Sequence, residues 1–227
     1  MRPEAHSPER ARREMVAVQL RARGIEDERV LTAMSRVPRE LFVPTQVRAA
    51  AYADQALPLD CGQTISQPYM VALICELLSL HGRERVLDVG SGSGYQAAVL
   101  AELAAEVHTI ERVPELAARA RANLLAAGYG DRVVVHVGDG TRGLSEHAPY
   151  DAIAVAAAAP ALPPTLFEQL VPRGRIVLPV GTEKGQRLEV VVRTPEGPAV
   201  LRSVPCRFVP LLGAEGFGSV SRRERRK

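Results

Sequence analysis

The sequence lacks the features that mark membrane-spanning, secreted and metal-rich proteins. No apolar run approaches the roughly 18 residues that a bilayer-spanning helix needs, and the polar, charged first residues predict no secretory signal. The three cysteines, Cys61, Cys75 and Cys206, form no CxxC pair and have no histidine nearby in sequence. Isolated cysteines suit a reducing compartment, so we expect free thiols, no bound metal and a cytoplasmic location.

Histidines are also few and dispersed. No pair of them has the close spacing that is typical of a zinc-binding motif. We therefore interpret all five as surface or strand residues and not as ligands: His6, His81, His108, His136 and His147.

The main body of the chain has no excess charge of one sign. The whole chain carries +3, residues 222–227 carry +4, and subtracting them leaves −1 for the rest. A basic run of this kind is typical of a disordered, solvated tail, and a nucleic-acid contact is the weaker interpretation. We expect no nucleic-acid partner, no membrane partner and a monomer.

Strand and helix patterns alternate from Arg85 onward, which predicts a parallel, doubly wound sheet. Before this region, Ser7 with Pro8 predicts a helix ending near Gly24, and Asp27 predicts a second helix. A third helix is expected from about residue 66 to residue 80. The predicted strands are 86–89, 107–110, 133–137, 152–155, 176–178, 188–192 and 200–209, and the helices between the first of them are 96–103 and 114–127.

These patterns predict an α/β, Rossmann-like, doubly wound fold, with a mostly parallel seven-stranded sheet and an N-terminal helical segment. Composition agrees with a globular chain, at 46% apolar and 24% charged residues. We divide the chain into an N-terminal helical segment (1–60), a main domain (61–213) and a basic, disordered tail (214–227).

A glycine-rich turn follows the first predicted strand of the sheet, in the sequence VLDVGSGSG over residues 86–94. Glycine lacks a Cβ atom and tolerates positive φ, so a ligand can approach such a backbone closely. The next strand ends at Glu111, where a carboxylate can accept from both ribose hydroxyls of a nucleoside. Asp88 is placed to meet a positively charged group, such as an α-ammonium, directly or through water.

The spacing of this turn disfavours a dinucleotide. A dinucleotide fingerprint requires glycine at the first, third and sixth places, which here are Gly90, Gly92 and Tyr95. A nicotinamide-dependent oxidoreductase is therefore the less favoured alternative.

The pattern Asp-x-Gly-x-Gly-x-Gly, with Glu111 and then Gly138-Asp139-Gly140 at later strand ends, resembles the S-adenosylmethionine methyltransferases of the Rossmann-like class. The resemblance implies S-adenosyl-L-methionine as cofactor, S-adenosyl-L-homocysteine as product, and an acid near the adenine after the third strand. Alone, Gly-Asp-Gly is a turn and Glu111 a solvated acid. Together they mark the edge where open α/β sheets bind ligands. The cofactor residues expected here are Asp88, Gly90, Ser91, Gly92, Gly94, Glu111, Asp139 and Gly140.

Four further segments resemble the protein-L-isoaspartate O-methyltransferase family, over about residues 30–213. They are VPRELFVP (37–44), QTISQPYM (63–70), LVPRGR (170–175) and RFVPL (207–211). The family methylates the free carboxylate of isomerised aspartyl residues. The ester closes to a succinimide that reopens partly as normal aspartate, which is a repair cycle. The resemblance therefore implies isoaspartate-containing proteins and peptides as substrates.

By this resemblance Ser66 is the catalytic residue on the acceptor side, and Gln63, Thr64 and Ile65 wall the channel for cofactor and substrate. A carboxylate with a pKa near ~4 is already ionised at pH 7, so the reaction needs mainly alignment. We assign Ser66 as an orienting donor and not as a nucleophile. Its plainer interpretation is the N-cap of the following helix.

Ser66, Ala156, Val209 and Pro210 are the substrate contacts that we expect. A buried carboxylate needs hydrogen-bond donors, and backbone N–H groups of residues 64–66 and after residue 155 are candidates. Many relatives carry Thr or Gly after the fourth strand, whereas residues 156–159 here are all alanine. Two alternatives keep the cofactor: a carboxyl methyltransferase acting on a dedicated peptide or small molecule, and a binding module without turnover.

Overall fold

Alternating strands and helices build one seven-stranded sheet in the computed structural model, which describes residues 7–182 and 184–218. The strands, numbered along the chain, are β1 Leu57–Pro58, β2 Thr64–Ile65, β3 Arg85–Val89, β4 Glu106–Glu111, β5 Val133–Val137, β6 Tyr150–Val155, β7 Leu170–Thr182, β8 Gly185–Thr194 and β9 Gly197–Cys206. The α-helices are α1 Pro8–Glu14, α2 Glu28–Arg36, α3 Pro68–Leu78, α4 Tyr95–Ala101, α5 Pro114–Ala126 and α6 Pro164–Glu168.

The strand order is β5-β4-β3-β6-β7-β8-β9, with β1 and β2 as a separate antiparallel pair. The pairs from β5 to β7 are parallel, and β8 pairs antiparallel with both β7 and β9. The expected Rossmann-like, mostly parallel sheet of seven strands is confirmed. Its parallel strands bring the carboxyl ends of β3, β4 and β6 to one edge.

The last three strands are longer or differently placed than predicted. The strand expected at 176–178 spans Leu170–Thr182, because its polar positions pair with β8 beyond the apolar centre. The strand expected at 200–209 ends at Cys206. Val209 lies outside the sheet, where its carbonyl accepts from the N–H of Ala158 at 2.8 Å.

The N-terminal helix is interrupted after α1. Ser7 caps α1 and Asp27 caps α2 through their side chains, as predicted. From Met15 to Leu20 the chain forms a π-helical turn, and a 3-10 turn then leads to Gly24 at φ +91°. The wider π turn places residues five apart on one face, so both Met15 and Leu20 are buried.

A buried arginine joins the N-terminal segment to the sheet. Arg39 is fully buried, with its guanidinium 4.7 Å from the centre of the Tyr95 ring. Its Nε donates to the carbonyl of Ala51 at 2.7 Å, and Nη2 donates to the carbonyl of Ser66 at 2.8 Å. Arg39 therefore connects the N-terminal segment to α4 and holds the residues before α3.

Residues 214–218, the first part of the tail that we expected to be disordered, have a defined place in the structure. The N–H of Ala214 donates to Asp139 at 2.8 Å, and the Glu215 carboxylate accepts from the N–H of Thr165 at 3.0 Å. These contacts pin residues 214–218 against the turn after β5. Residues 219–227, which hold the basic run, lie outside the described residues. No helix in the described ranges is long and apolar enough to cross a bilayer.

A comparison of Gly94 with Gly24 separates the cost of backbone strain at positive φ from the cost of steric crowding by a Cβ atom. Both have positive φ, +89° and +91°, but a Cβ at Gly94 would lie 3.2 Å from Leu124 Cγ, whereas nothing lies within 4 Å at Gly24. We predict that Gly24→Ala lowers the free energy of unfolding by about 1–2 kcal/mol and that Gly94→Ala costs about 1–3 kcal/mol more. Urea denaturation measures both, and equal losses would contradict this packing.

Candidate active site

A cavity of about 120 Å³ lies at the carboxyl ends of β3 and β4. It brings together most of the residues that the sequence indicates, from segments more than 100 positions apart. The predicted residues that line it are Gln63, Thr64, Ile65, Ser66, Gly90, Ser91, Gly92, Glu111, Gly140, Ala156, Val209 and Pro210. Asp88, Gly94 and Asp139 are not among the lining residues.

Glu111 forms one wall of this cavity as a buried carboxylate, 8% exposed, and not as a solvated acid. Oε2 accepts from the N–H of Gly92 at 2.9 Å, and Oε1 accepts from the N–H of Val113 at 3.0 Å. Each oxygen keeps a further lone pair. The carboxylate is thus held in place with acceptor capacity left for hydroxyl groups.

The glycine-rich turn is docked on the end of β4 by its own N–H groups. The N–H groups of Gly90 and Ser91 donate to the carbonyl of Ile110 at 2.9 and 3.3 Å, and that of Gly94 donates to the Ser91 carbonyl at 2.7 Å. Because the N–H of Gly92 donates to Glu111, these four donors are all used within the protein.

Asp88 does not reach the cavity, so the expected direct contact with a ligand is wrong. Its side chain is fully buried, accepting from Gln96 Nε2 at 2.7 Å and from Thr109 Oγ1 at 2.8 Å. Burial raises the pKa of Asp88 to about 6, although the two hydrogen bonds oppose that shift. The carboxylate is therefore ionised at neutral pH and faces donors only.

Gln96 also lines the cavity, although we did not predict this residue from the sequence. Because the Asp88 carboxylate only accepts, the NH₂ of Gln96 must face it, which fixes the orientation of the amide. Its Oε1 is buried and has no hydrogen-bond partner among residues 7–182 and 184–218. Buried polar atoms are normally paired, so this acceptor fits a ligand that carries a donor. The sequence signal that could have identified Gln96 as a cavity residue is its position two residues after Gly94.

Asp139 is a structural acid and not a cavity residue. Oδ1 accepts from the N–H and the hydroxyl of Thr141, and Oδ2 accepts from the N–H of Ala214. Burial opposes ionisation of Asp139, but hydrogen bonds from Ala214 and Thr141 outweigh it and lower its pKa. These bonds show that Asp139 holds the turn, and its contact with an adenine stays a prediction. The neighbouring Gly140 lines the cavity, and a Cβ there would lie only 2.7 Å from Val89 Cγ1, which favours glycine at this position.

Ser66 does not cap α3, which excludes the plainer interpretation of this residue. The N-cap is Gln67, without a side-chain cap, and Pro68 takes the first helical position. The Ser66 carbonyl is held by Arg39, while its half-buried hydroxyl makes no hydrogen bond to the described part of the chain. This leaves a hydroxyl donor at the cavity wall.

The backbone N–H groups after β6 are mostly not available as donors. The N–H of Ala156 donates to Val89, that of Ala158 to Val209, and that of Ala159 to Pro179, at 2.8–2.9 Å. The expectation that this turn supplies donors to a carboxylate therefore fails at these three residues. Ala156 lines the cavity by its shape only.

A wider cleft of about 1260 Å³ adjoins the cavity and shares Pro210 and Leu212 with it. Its rim includes Lys184, Arg207 and Phe217. The cleft is larger, but Glu111, Gln96 and Ser66 all lie in the smaller cavity.

Three histidines that the sequence shows as scattered lie together. Rings of His108, His136 and His147 have ligand nitrogens within 4.8 Å of one another. The expectation that no histidines form a metal-type cluster is therefore wrong. His108 on β4 pairs with Val134 on β5, and His136 is two residues further along β5, so His108 and His136 lie on the same face of the sheet. The pattern within a single strand does not reveal this register.

Comparison with known proteins gives one consistent result. The family described as protein-L-isoaspartate(D-aspartate) O-methyltransferase matches residues 11–216. A Marinobacter nauticus protein named protein-L-isoaspartate O-methyltransferase 2 is 57% identical over 208 residues, which cover 91% of this chain and 94% of the relative. A Methanoculleus marisnigri protein-L-isoaspartate O-methyltransferase is 51% identical and covers 96% of this chain and 99% of its own.

Solved structures agree in fold. One named protein-L-isoaspartate O-methyltransferase has a TM-score of 0.81 at 28% identity, over 90% of this chain and 67% of the other. A structure from Plasmodium falciparum, assigned to the same enzyme class and in complex with S-adenosyl-L-homocysteine, has a TM-score of 0.77 at 26% identity, over 88% of this chain and 98% of the other.

The buried Asp88 predicts a pH dependence of stability. Its pKa of about 6 in the native state exceeds the ordinary 3.8, so the native state binds the proton more tightly than the unfolded state. This group therefore lowers the free energy of unfolding as pH rises from about 4 to 6, by about 3 kcal/mol. Subtracting the urea-unfolding profile of Asp88→Asn from that of the wild type should isolate this fall.

Asp139 is the matched control for this measurement. Its pKa is lowered in the native state, so it stabilises the protein above the unfolded pKa, and that stability is lost as pH falls through the native pKa. The Asp139→Asn difference should therefore have the opposite sign. Parallel profiles for wild type and Asp88→Asn would show that Asp88 titrates normally.

Proposed function

Because the chain belongs to the protein-L-isoaspartate(D-aspartate) O-methyltransferase family, we propose that the cavity between Ser66 and Glu111 is its active site. The enzyme transfers a methyl group from S-adenosyl-L-methionine to the free carboxylate of L-isoaspartyl residues in damaged proteins and peptides. The ester then leads through a succinimide back toward normal aspartate, which makes the activity one of protein repair. The observation that supports this placement is a single cavity with two buried acceptors and a free hydroxyl donor.

The cofactor side of the cavity offers acceptors. Glu111 keeps lone pairs for the two ribose hydroxyls, and Gln96 Oε1 is placed to accept from the α-ammonium of the cofactor. Asp88 acts through Gln96, because it accepts from the amide NH₂ and so leaves Oε1 as the unpaired acceptor of that amide. We therefore assign to Gln96 the contact with the α-ammonium that we predicted for Asp88.

The same donor and acceptor pattern disfavours a dinucleotide. A pyrophosphate is rich in acceptors and is normally held by free backbone N–H groups at a glycine turn. Here the N–H groups of Gly90, Ser91, Gly92 and Gly94 are already used within the protein. These four N–H groups are therefore not available to the pyrophosphate of a nicotinamide cofactor.

The acceptor side needs to align a carboxylate that is already ionised. When bound, the cofactor supplies an activated methyl group on a sulfonium. The Ser66 hydroxyl donates to one oxygen of the substrate carboxylate, which directs the other oxygen toward the methyl carbon; this is a proximity effect. Arg39 is a positioning residue, because its hydrogen bond to the Ser66 carbonyl fixes the backbone at this point.

The adjoining cleft supports a polypeptide acceptor over a small molecule. It is about ten times larger than the cavity and meets it at Pro210 and Leu212. Lys184 and Arg207 at its rim give it positive charge that suits the negative charge of an isoaspartyl peptide. We propose that residues flanking the isoaspartyl unit lie in this cleft.

We also propose that the enzyme works as a cytoplasmic monomer. Cys61 is an exposed free thiol, which suits a reducing compartment. Among the described residues the large exposed apolar side chains are dispersed over α5, β5, β9 and the N-terminal segment, which favours a monomer because a stable interface needs a contiguous patch.

Paired peptides test the acceptor class. The wild-type enzyme with methyl-labelled S-adenosyl-L-methionine is expected to put base-labile label on a peptide with an L-isoaspartyl linkage. The same peptide with an L-aspartyl linkage should remain unlabelled, because its side-chain carboxylate lacks the required placement. Label on neither peptide, with S-adenosyl-L-homocysteine still bound, would point instead to a dedicated peptide or small-molecule acceptor.

Ser66 and Glu111 should show opposite defects. Glu111→Ala is expected to weaken binding of S-adenosyl-L-homocysteine, measured by calorimetry, by about 1–3 kcal/mol, the value of a hydrogen bond to a charged group. Ser66→Ala should leave that affinity near normal and lower kcat for the isoaspartyl peptide by about tenfold or more, corresponding to roughly 1.4 kcal/mol.

Ser35→Ala in α2 is the matched control for Ser66→Ala, because it removes a hydroxyl far from the cavity in sequence and outside its lining. It should leave both measurements unchanged. Loss of cofactor affinity and melting temperature together in Ser66→Ala would show that this serine is structural.

A further inference from the structure

Three imidazoles meet at the edge of the sheet, away from the lining of the active-site cavity. His108 alternates along β4 with Val107, which packs in the core under α4 and α5, so its ring lies on the opposite face of the sheet. His108 is 3% exposed, and His136 on β5 and His147 before β6 are half-buried. The chemistry assigned above uses none of these residues.

Two of the rings already present nitrogen atoms at the separation of two metal ligands. His108 Nδ1 lies 3.0 Å from His136 Nε2. Two ligands at the usual Zn–N distance of about 2.0–2.1 Å in a tetrahedral site are about 3.3 Å apart. Since one nitrogen of such a contact must present a lone pair to the other, the pair is neutral on at least one ring.

A carboxylate supports the buried ring from behind. His108 Nε2 lies 2.7 Å from Glu106 Oε1, and the other oxygen of Glu106 accepts from Arg85 Nε at 2.8 Å. The carboxylate fixes the proton on Nε2, which leaves Nδ1 as the ligand atom. Metal-binding histidines typically donate their second N–H to a carboxylate in this way.

The third ring lies within reach but is turned. His147 stacks on His108 with ring centres 4.2 Å apart and an angle of 25°, and its centre is 4.9 Å from that of His136. Coordination requires the half-buried His147 side chain to rotate so that a nitrogen points toward the other two. His147 ends the 3-10 turn Ser145–His147, outside the strands of the sheet.

We propose that His108, His136 and His147 form a binding site for a divalent transition metal of the Zn²⁺ class. Three imidazole nitrogens suit Zn²⁺, Co²⁺, Ni²⁺ and Cu²⁺, and they do not suit Mg²⁺ or Ca²⁺, which require oxygen ligands. With three protein ligands, a fourth position remains for water. The metal would connect β4, β5 and the loop before β6, and its binding would raise the stability of the native state by an amount that grows with the logarithm of the metal concentration above Kd.

Metal titration of the untagged full-length protein, stripped of metal with a chelator, tests the site. Co²⁺ is expected to bind one per chain and to give the intense visible absorption of a low-symmetry nitrogen site, and Zn²⁺ should displace it. His136→Asn and His147→Asn should each lower the affinity for Co²⁺ at least tenfold. Glu106→Gln should lower it about 10–100-fold, the usual effect of losing such a supporting carboxylate.

His81→Asn is the matched control, because His81 is exposed and bonded to its own turn; its affinity for Co²⁺ should equal that of the wild type. Folding defects are separated by the melting temperature with and without Zn²⁺ for each variant, since only the shift reports binding. Zn²⁺ should raise it in wild type and His81→Asn but not in His136→Asn. An unchanged Co²⁺ spectrum in the His136→Asn/His147→Asn double variant, thiolate bands from cysteine, or no binding would overturn the proposal.

Discussion

The buried carboxylate of Asp88 is the interaction on which the cofactor side of the molecule depends. It accepts from Gln96 at the start of α4 and from Thr109 on β4, and the Thr109 hydroxyl lies 2.6 Å from that of Ser91 in the glycine turn. One acceptor thus connects two strands, a helix and the binding turn. Burying a charge is costly unless donors surround it, so these partners have to stay in place for the fold to hold.

This arrangement determines which groups the cavity offers to a ligand. Asp88 accepts from the amide NH₂ of Gln96. The N–H groups of four turn residues donate to Ile110, Ser91 and Glu111; they are those of Gly90, Ser91, Gly92 and Gly94. The groups that remain are the acceptor oxygens of Glu111 and Gln96 and the hydroxyl of Ser66. The α-ammonium of an adenosyl sulfonium finds acceptors in such a site, whereas a pyrophosphate finds four glycine-turn N–H groups already used.

Much of the fold followed from the sequence, because near-continuous apolar strands and glycine- or proline-marked helix ends are local signals. Glu111, the glycine turn and the segment around Ser66 do line one cavity, while their roles toward cofactor and substrate stay predictions. The sequence could not show that Gln96, and not Asp88, lines the cavity. Both residues lie near the turn, and only packing decides which of them reaches the cavity. Asp139 and residues 214–218 depend on each other across 75 positions, and the histidine cluster depends on strand register. Sequence patterns within one segment contain neither kind of information.

The groups that hold the cofactor are shared by what enters the site and what leaves it. Ribose hydroxyls and the α-ammonium are unchanged by methyl transfer, so in the proposed site Glu111 and Gln96 would bind the spent thioether nucleoside as they bind the donor. Only the positive charge on sulfur distinguishes the two ligands, and neither of the proposed contacts involves the sulfur. We therefore expect the by-product to compete with the donor, and the rate of repair to depend on how quickly other reactions clear it.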